Sequence, residues 1–321
     1  MSWLSDGTIS HLQRVLDGPA LEGTKYQLLE EIGRGGMGTV YLVRDRELRR
    51  NVALKVLDSS DDSEDLATRL AAEARILAYL EHPGIVPVHD AGTLCDGRVY
   101  YVMKFVQGQR LDTYCSAHPA LSELLRVFVR VCEPVAFAHS QGVIHRDLKP
   151  ENIMTGTFGE VLILDWGVAK LLSHGAPICP SYADSPINQG QTEQGTIIGT
   201  RDYMSPEQLA GEIDQVDGRS DIYALGRILS YLLKSSGGGS IPRPLQAIVA
   251  KAAHLDPNSR YPSALDLAAD IERYLEGQPV TAYRENLLER TGRVLSRNKT
   301  LVALLAAYIM MRIVIFLWFR R

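Results

Sequence analysis

The stretch GRGGMGTV at residues 33–40 places Gly33, Gly35 and Gly38 between two segments with strand character, YQLLEEI (26–32) and TVYLVRD (39–45). A third such segment, NVALKVL (51–57), follows. A glycine turn running from strand into strand is not the strand-to-helix turn of a dinucleotide-binding βα unit, in which the last glycine opens a helix. It can instead let backbone amides approach a phosphate closely, because no Cβ stands in the way. By itself this glycine spacing is a weak signal. Lys55 adds to it, since a lysine at the centre of an apolar strand needs an anion. The next segment, EDLATRLAAEARILAYL (64–80), has apolar residues at helical spacing, Ser63 as a candidate N-cap, and Glu73 as a candidate partner for Lys55. A strand lysine snorkelling beside a solvated glutamate is the alternative for this pair taken alone.

VYYVMKFV (99–106) reads as a buried strand, and from about Leu121 helical patterns dominate, interrupted by VIHRDLKPENIM and VLILDWGVAK. Residues 171–199 are polar, rich in Ser, Gly, Gln and Pro, and read as a long loop. A strand-rich front and a helix-rich back predict an α+β chain of two lobes with a cleft between them. With 321 residues, 45% of them hydrophobic, both lobes can hold a core. The net charge of −4, with dispersed Lys and Arg, gives no nucleic-acid signal. Cys95, Cys115, Cys132 and Cys179 form neither a CxxC nor a metal-ligand spacing and read as reduced thiols. Residues 1–25 form an N-terminal extension whose first part is amphipathic, with Trp3, Ile9, Leu12, Val15 and Leu16 on one face.

HRDLKPEN (145–152), DWG (165–167), SPE (205–207) and DIYALG (221–226) follow the lysine in that order. Together with GRGGMGTV and VALK, these motifs make residues 26–276 resemble the eukaryotic-type protein kinases, specifically their bacterial serine/threonine branch. The resemblance implies a β-rich N-lobe over about 26–106 and a helical C-lobe over about 107–276. It implies ATP and Mg2+ as cofactors, with Mn2+ as an alternative ion. Gly33, Gly35 and Gly38 would cover the phosphates, and Lys55, held by Glu73, would contact them. Val40, Ala53 and Met154 match the adenine sandwich, where ordinary core packing is an equally good description. Met103 matches the gatekeeper, so the backbone of Lys104 and Val106 would meet the adenine edge. Asp147 would orient the substrate hydroxyl or accept its proton, Lys149 would stabilise the transferring phosphoryl group, and Asn152 and Asp165 would hold the metal. Arg146 resembles the arginine of kinases switched on by loop phosphorylation, with Thr192 and Thr196 as candidate sites and unmodified loop threonines as the alternative. Thr200 matches a threonine lying near the catalytic aspartate. Small-molecule phosphotransferases of kinase-like fold share an Asp and Asn at similar spacing, but the full HRDLKPEN with SPE and the Asp221 motif argues against them.

The sequence departs from the family in several places. Trp166 replaces a phenylalanine and is expected to pack near Leu77 and His145. Ser205 replaces an alanine, and Glu207 is expected to pair with Arg260. Lys104 stands where glutamate is common. KSSGGGSIPRP (234–244) looks like a flexible linker, yet the helical segments on either side both match parts of the large lobe. The family normally inserts about 20 more residues at this point. The stretch is therefore expected to be a short cut inside one lobe, with a docking helix missing. A catalytically weak scaffold that binds nucleotide and partners is the alternative function.

Residues 277–299 read as a basic juxtamembrane segment, and 300–319 as a single transmembrane helix. Nineteen nearly uninterrupted apolar residues from Leu301 would span about 28 Å at ~1.5 Å per residue. Arg312 costs about 2.5–3.5 kcal/mol near a bilayer centre, and the Leu, Ile, Val and Phe residues return roughly 0.3–0.6 each. An interfacial or partner-packed helix is the alternative. Arg290, Arg293, Arg297 and Lys299 precede the span, which predicts a single-pass inner-membrane protein with its kinase domain in the cytoplasm. The expected function is phosphoryl transfer from ATP to Ser/Thr of protein substrates, with self-association for trans-autophosphorylation, lipid contact through 300–319 and no nucleic-acid partner.

Overall fold

The computed structural model describes residues 18–35, 38–57, 64–166, 170–171, 200–211, 215–237, 240–286 and 299–320. An antiparallel five-stranded sheet opens the chain, built from β1 (Tyr26–Gly35), β2 (Gly38–Asp45), β3 (Arg50–Val56), β4 (Val88–Thr93) and β5 (Val99–Lys104) in the order β1-β2-β3-β5-β4. Side chains alternate faces along a strand. Tyr41, Val43, Val52, Leu54, Val56, Tyr100 and Val102 therefore fall on one face and form a small core of their own with Tyr26 and Leu94. The opposite face carries Leu42, Ala53, Lys55, Tyr101 and Met103, and the register brings Val40 opposite Lys55 and Ala53 opposite Met103. Helix α1 (Glu64–Tyr79) lies between β3 and β4 and contacts β5. Gly18 and Ala20 of the N-terminal extension are tied to this lobe through Arg98 and Cys95. The expected N-terminal amphipathic face and Ser63 lie outside the described residues.

A short strand, β6 (Gly108–Arg110), and helix α2 (Leu111–Cys115) lead into α3 (Leu121–Ser140). The apolar residues Leu124, Leu125, Phe128, Val131, Cys132, Val135 and Ala138 of α3 recur at helical spacing and are all buried. After α3 come β7 (Val143–Ile144), β8 (Ile153–Gly156), β9 (Val161–Ile163) and β10 (Lys170–Leu171), with β6-β8-β9 in one sheet and β7-β10 in another. The helices α4 (Pro206–Leu209), α5 (Gly218–Ser235), α6 (Arg243–Ala252) and α7 (Ala264–Leu275) complete the large lobe. Gly84 fits against Pro134 of α3, where a Cβ would stand 2.9 Å from the proline ring. The same glycine's carbonyl accepts from Ile163 N at 2.9 Å, stitching the end of the α1 region to β9. One continuous core runs from Leu70 and Leu77 of α1 through α3 and α5 to Ile271 and Val280.

The Ser/Gly stretch is internal to this core. Leu229, Leu232 and Leu233 before it and Leu245 and Ile248 after it belong to the same cluster. Helices α5 and α6 touch closely at Gly226, where a Cβ would lie 2.8 Å from that of Ala252. Past α7 the chain is clasped by Asp270, which is fully buried and accepts from Tyr261 Oη, Thr281 N, Thr281 Oγ1 and Ala282 N at 2.6–3.1 Å.

Helix α8 (Lys299–Phe319) covers the stretch expected to cross a membrane. The span itself is not supported: among the described residues no helix is long and apolar enough to cross a membrane. Several side chains of α8 are outside the description. Of those described, Leu304, Ile309, Met310, Ile313, Phe316 and Trp318 stand exposed, and Arg312 interrupts the apolar run. No disulfide joins Cys95, Cys115 and Cys132.

Glu207 on α4 is bidentate to Arg260, at 2.7 and 2.8 Å, as expected from the sequence, and accepts from Ser220 Oγ at 2.7 Å. Burial would raise its carboxyl, but the bonds from Arg260 and Ser220 bring it from 4.5 down to about 2. A depressed carboxylate contributes stability above its unfolded value and loses it as pH falls through the folded one. The melting temperature is therefore expected to decline between about pH 4.5 and pH 2. Glu207→Gln should start from a lower melting temperature at neutral pH and decline less steeply over this window, as read by thermal denaturation across pH.

Candidate active site

Period-2 alternation in β3 turns Lys55 toward α1, and the next helix supplies its counter-charge. Lys55 Nζ donates to both oxygens of Glu73 at 2.9 Å and to Asp165 Oδ1 at 3.3 Å. Tyr101, on the same face of the sheet, donates its hydroxyl to Glu73 Oε1 at 2.9 Å. Burial alone would lower Lys55, but Glu73 and Asp165 outweigh it and hold the ammonium above the ordinary lysine range. Removing one partner of such a buried pair costs about 3–5 kcal/mol, because the other charge is left uncompensated.

The catalytic-loop residues gather around Asp147. Lys149 Nζ lies 2.8 Å from Asp147 Oδ2. Asn152 Nδ2 donates to Asp147 O at 2.9 Å and to its Oδ2 at 3.2 Å, which leaves the Asn152 carbonyl oxygen for another partner. Burial would raise the Asp165 carboxyl, but Lys55 and Lys149 hold it below the usual range, so it stays anionic at neutral pH. Asp165 also has φ +58°, a left-handed backbone that a non-glycine residue adopts only when its surroundings impose it. The two clusters thus meet at Asp165. An amide oxygen and an anionic carboxylate are the hard donors Mg2+ takes, with phosphate oxygens and water completing its shell. Among the described residues no group of three or more His, Cys, Asp or Glu could hold a metal alone, and an ion shared with phosphates requires none.

His145 braces this arrangement. Its Nδ1 accepts from Asp147 N at 3.3 Å, so its Nε2 carries the proton and donates to Leu164 O at 3.0 Å. The ring packs against Trp166 at 4.6 Å between centroids. Trp166 is buried in the core that also holds Leu77, as expected, and its indole nitrogen has no hydrogen-bond partner among the described residues. Asp221 accepts from His145 N, Arg146 N and His139 Nε2 at 2.8–2.9 Å.

Ala53 and Val106 are buried, whereas Val40, Met103 and Met154 are half-buried. The N–H of Lys104 donates to Pro87 O at 3.1 Å. Thr192 and Thr196, the side chain of Thr200 and Cys179 lie outside the described residues. Sequence reading missed Tyr101, although alternation from Lys55's partner strand could have found it. It also missed Gln208, whose bond to Ser205 is the capping box legible in SPEQ (205–208) but whose bond to Arg146 no local pattern announces.

The three glycines differ in what constrains them. Gly38 has φ +131°, and a Cβ there would stand 2.2 Å from Val56 O, so the fold itself requires glycine. Gly33 and Gly35 have ordinary backbone and no described residue within 4 Å of an added Cβ, so their requirement would come from a ligand. Gly38→Ala is expected to destabilise by at least about 1–3 kcal/mol. Gly33→Ala and Gly35→Ala should leave the melting temperature unchanged and raise the KM for ATP several-fold, separable by calorimetry and kinetics.

The protein kinase domain model matches residues 26–237 and ends within the Ser/Gly stretch. The chain is 34% identical over 306 residues to the serine/threonine-protein kinase PknD of Protochlamydia amoebophila, covering 81% of this chain and 31% of that protein. It is 36% identical over 303 residues to the PknD of Chlamydia felis, covering 79% of this chain and 31% of that protein. The chain thus spans about a third of the length of the curated relatives it matches. The crystal structure of the M. tuberculosis PknI kinase domain is similar to it with a TM-score of 0.56 and 25% identity, covering 79% of this chain and 96% of that chain. With more than half of its residues matched and the catalytic motifs assembled at one site, the chain belongs to the protein kinase family.

Proposed function

We propose that the chain is a serine/threonine protein kinase that transfers the γ-phosphoryl group of ATP to protein hydroxyls. The observation that carries this reading is the meeting of the Lys55–Glu73 pair with Asp165 beside Asp147, Lys149 and Asn152. Phosphoryl transfer through a loose transition state asks a protein mainly for positioning and charge cancellation. Lys55, kept charged by its two carboxylates, would contact the phosphates. Asp147 would accept the hydrogen bond of the incoming hydroxyl, and Lys149 would compensate the charge on the transferring group. Asn152 and Asp165 would hold Mg2+, which when bound neutralises triphosphate charge. Gly33 and Gly35 fit a close approach of backbone to phosphate.

Activation by loop phosphorylation, at Thr192 or Thr196, belongs to the same proposal. Its support is Arg146, half-buried beside Asp147, with φ +71° and an Nε that has no hydrogen-bond partner among the described residues. Burial lowers the guanidinium's proton affinity, and a phosphate carrying about −1.5 to −2 charges would compensate it. Membrane attachment through 299–319 is supported by the exposed apolar side chains of α8 and the basic residues before it. The substrate hydroxyls, the membrane and self-association as a route to trans-phosphorylation complete the proposed set of partners, with the catalytic body on the cytoplasmic side.

The test is phosphate transfer from labelled ATP with Mg2+ to the protein itself and to a basic protein substrate. Wild type should transfer label, and Asp147→Asn should lose transfer by at least ~10^3-fold while binding nucleotide as before, consistent with loss of a group that acts in the transition state. Nucleotide binding without any transfer by wild type would replace this reading with the scaffold. Vesicle flotation should find the full chain with lipid and a chain ending at residue 286 in the soluble fraction; equal distribution of the two would remove the membrane attachment.

A further inference from the structure

We infer that Gln208 is a positioning residue for phosphoryl transfer, a side chain through which the segment before α4 sets the geometry of Asp147. The inference rests on the kinase reading above and adds to it a residue that none of the catalytic motifs contains.

The backbone entering Asp147 is unusual. Arg146 has φ +71°, so the Arg146–Asp147 peptide needs partners that hold it in a conformation costing about 1–3 kcal/mol. Three side chains hold the backbone on either side of Arg146, two of them on the Arg146–Asp147 peptide itself. Asp221 takes the N–H of Arg146 at 2.9 Å, and His145 Nδ1 takes the N–H of Asp147 at 3.3 Å. The remaining polar group, the Arg146 carbonyl, accepts from Gln208 Nε2 at 2.8 Å. The Arg146–Asp147 peptide plane is therefore fixed at both its oxygen and its nitrogen. Losing the carbonyl bond would free the plane to rotate and move the Asp147 carboxylate relative to Lys149 and Asn152.

Gln208 is itself held. Its Oε1 accepts from Ser205 N at 3.1 Å and from Ser205 Oγ at 3.0 Å, and Ser205 is fully buried. These bonds fix which end of the amide carries the oxygen, so the NH2 must face Arg146. They also explain Ser205, whose hydroxyl replaces the apolar methyl of the usual alanine and orients the glutamine. Ser205 ends the Thr200–Ser205 segment, which leads into the buried Glu207–Arg260 pair. Of the three side chains that hold this backbone, Asp221 and His145 belong to the core, whereas Gln208 is half-buried and follows the loop that carries Thr200. The placement of the Thr200–Ser205 segment is thereby coupled to the orientation of Asp147.

Gln208→Glu separates the two tasks of this side chain. A glutamate keeps its length and the oxygen that accepts from Ser205 N, so helix capping survives, but it cannot donate to the Arg146 carbonyl. Gln208→Ala loses both. With the full chain, Mg2+ and a serine peptide, both variants are expected to reduce kcat by about tenfold or more, equivalent to about 1.4 kcal/mol. The KM for ATP should stay near the wild-type value, because Lys55, Glu73 and Asp165 are untouched. The melting temperature of Gln208→Glu should match that of wild type. A Gln208→Glu protein with wild-type kcat would overturn the inference and leave the glutamine as a helix cap only. A kcat loss that tracks a fall in melting temperature, seen in Gln208→Ala alone, would overturn it too. Absence of transfer by wild type would remove the kinase reading and this inference together, whereas transfer by wild type with unimpaired variants would remove this one alone.

Discussion

A single buried carboxylate, Asp221, organises the catalytic loop. It is fully enclosed and accepts from three donors that have no other way of meeting: the backbone N–H groups of His145 and Arg146 and the ring of His139. Burial alone would drive its carboxyl toward the neutral form, but His139 and the loop donors hold it below the usual carboxylate range. The loop of residues 145–152 is short, carries a left-handed residue at Arg146, and has no extended secondary structure to keep it in place. Its shape is borrowed from α5. Because α5 packs on α3 and α6, the position of Asp147 depends on the whole helical core beneath it.

The upper half of the site follows from sheet geometry. Strand alternation sorts β3 and β5 into a face that builds a small outer core and a face that carries Lys55 and Tyr101. The ion pair to Glu73 then fixes α1 against the sheet, and Asp165 links the pair to the lower lobe. Strain is concentrated at two of these residues, Arg146 and Asp165, both with positive φ and both charged. Such conformations persist only where several neighbours over-determine them. The cage of Asp221, His145 and Gln208 does so for Arg146.

The short connection between α5 and α6 closes over an interface of small residues. Gly226 lets the helices approach closely enough that Ala252 fills the contact, and Leu229, Leu233, Leu245 and Ile248 close the core around it. The Glu207–Arg260 pair lies at the same end of the lobe, with Arg260 also donating to the carbonyls of Arg219, His254 and Leu255. One guanidinium thus ties α4, the start of α5 and the turn before α7 into a unit.

Much of this was legible in the chain. Alternation in NVALKVL and VYYVMKFV and helical spacing in residues 64–80 and 121–140 determined β3, β5, α1 and α3, because local periodicity follows from which face must be buried. Motif order identified Lys55, Glu73, Asp147, Asn152 and Asp165, and the structure brings all five together. Edge strand β4 escaped, since VHDAGT alternates half-buried with exposed residues and contains a glycine. The apolar run at 301–319 suggested a span that the described residues do not support. Tertiary structure alone decided the partners of buried polar groups: Tyr101 on Glu73, Asp270 on Thr281 and Ala282, Gln208 on Arg146. Periodicity reports which side of an element faces inward, but a hydrogen bond between residues 62 positions apart, as for Gln208 and Arg146, exists only once the elements have packed.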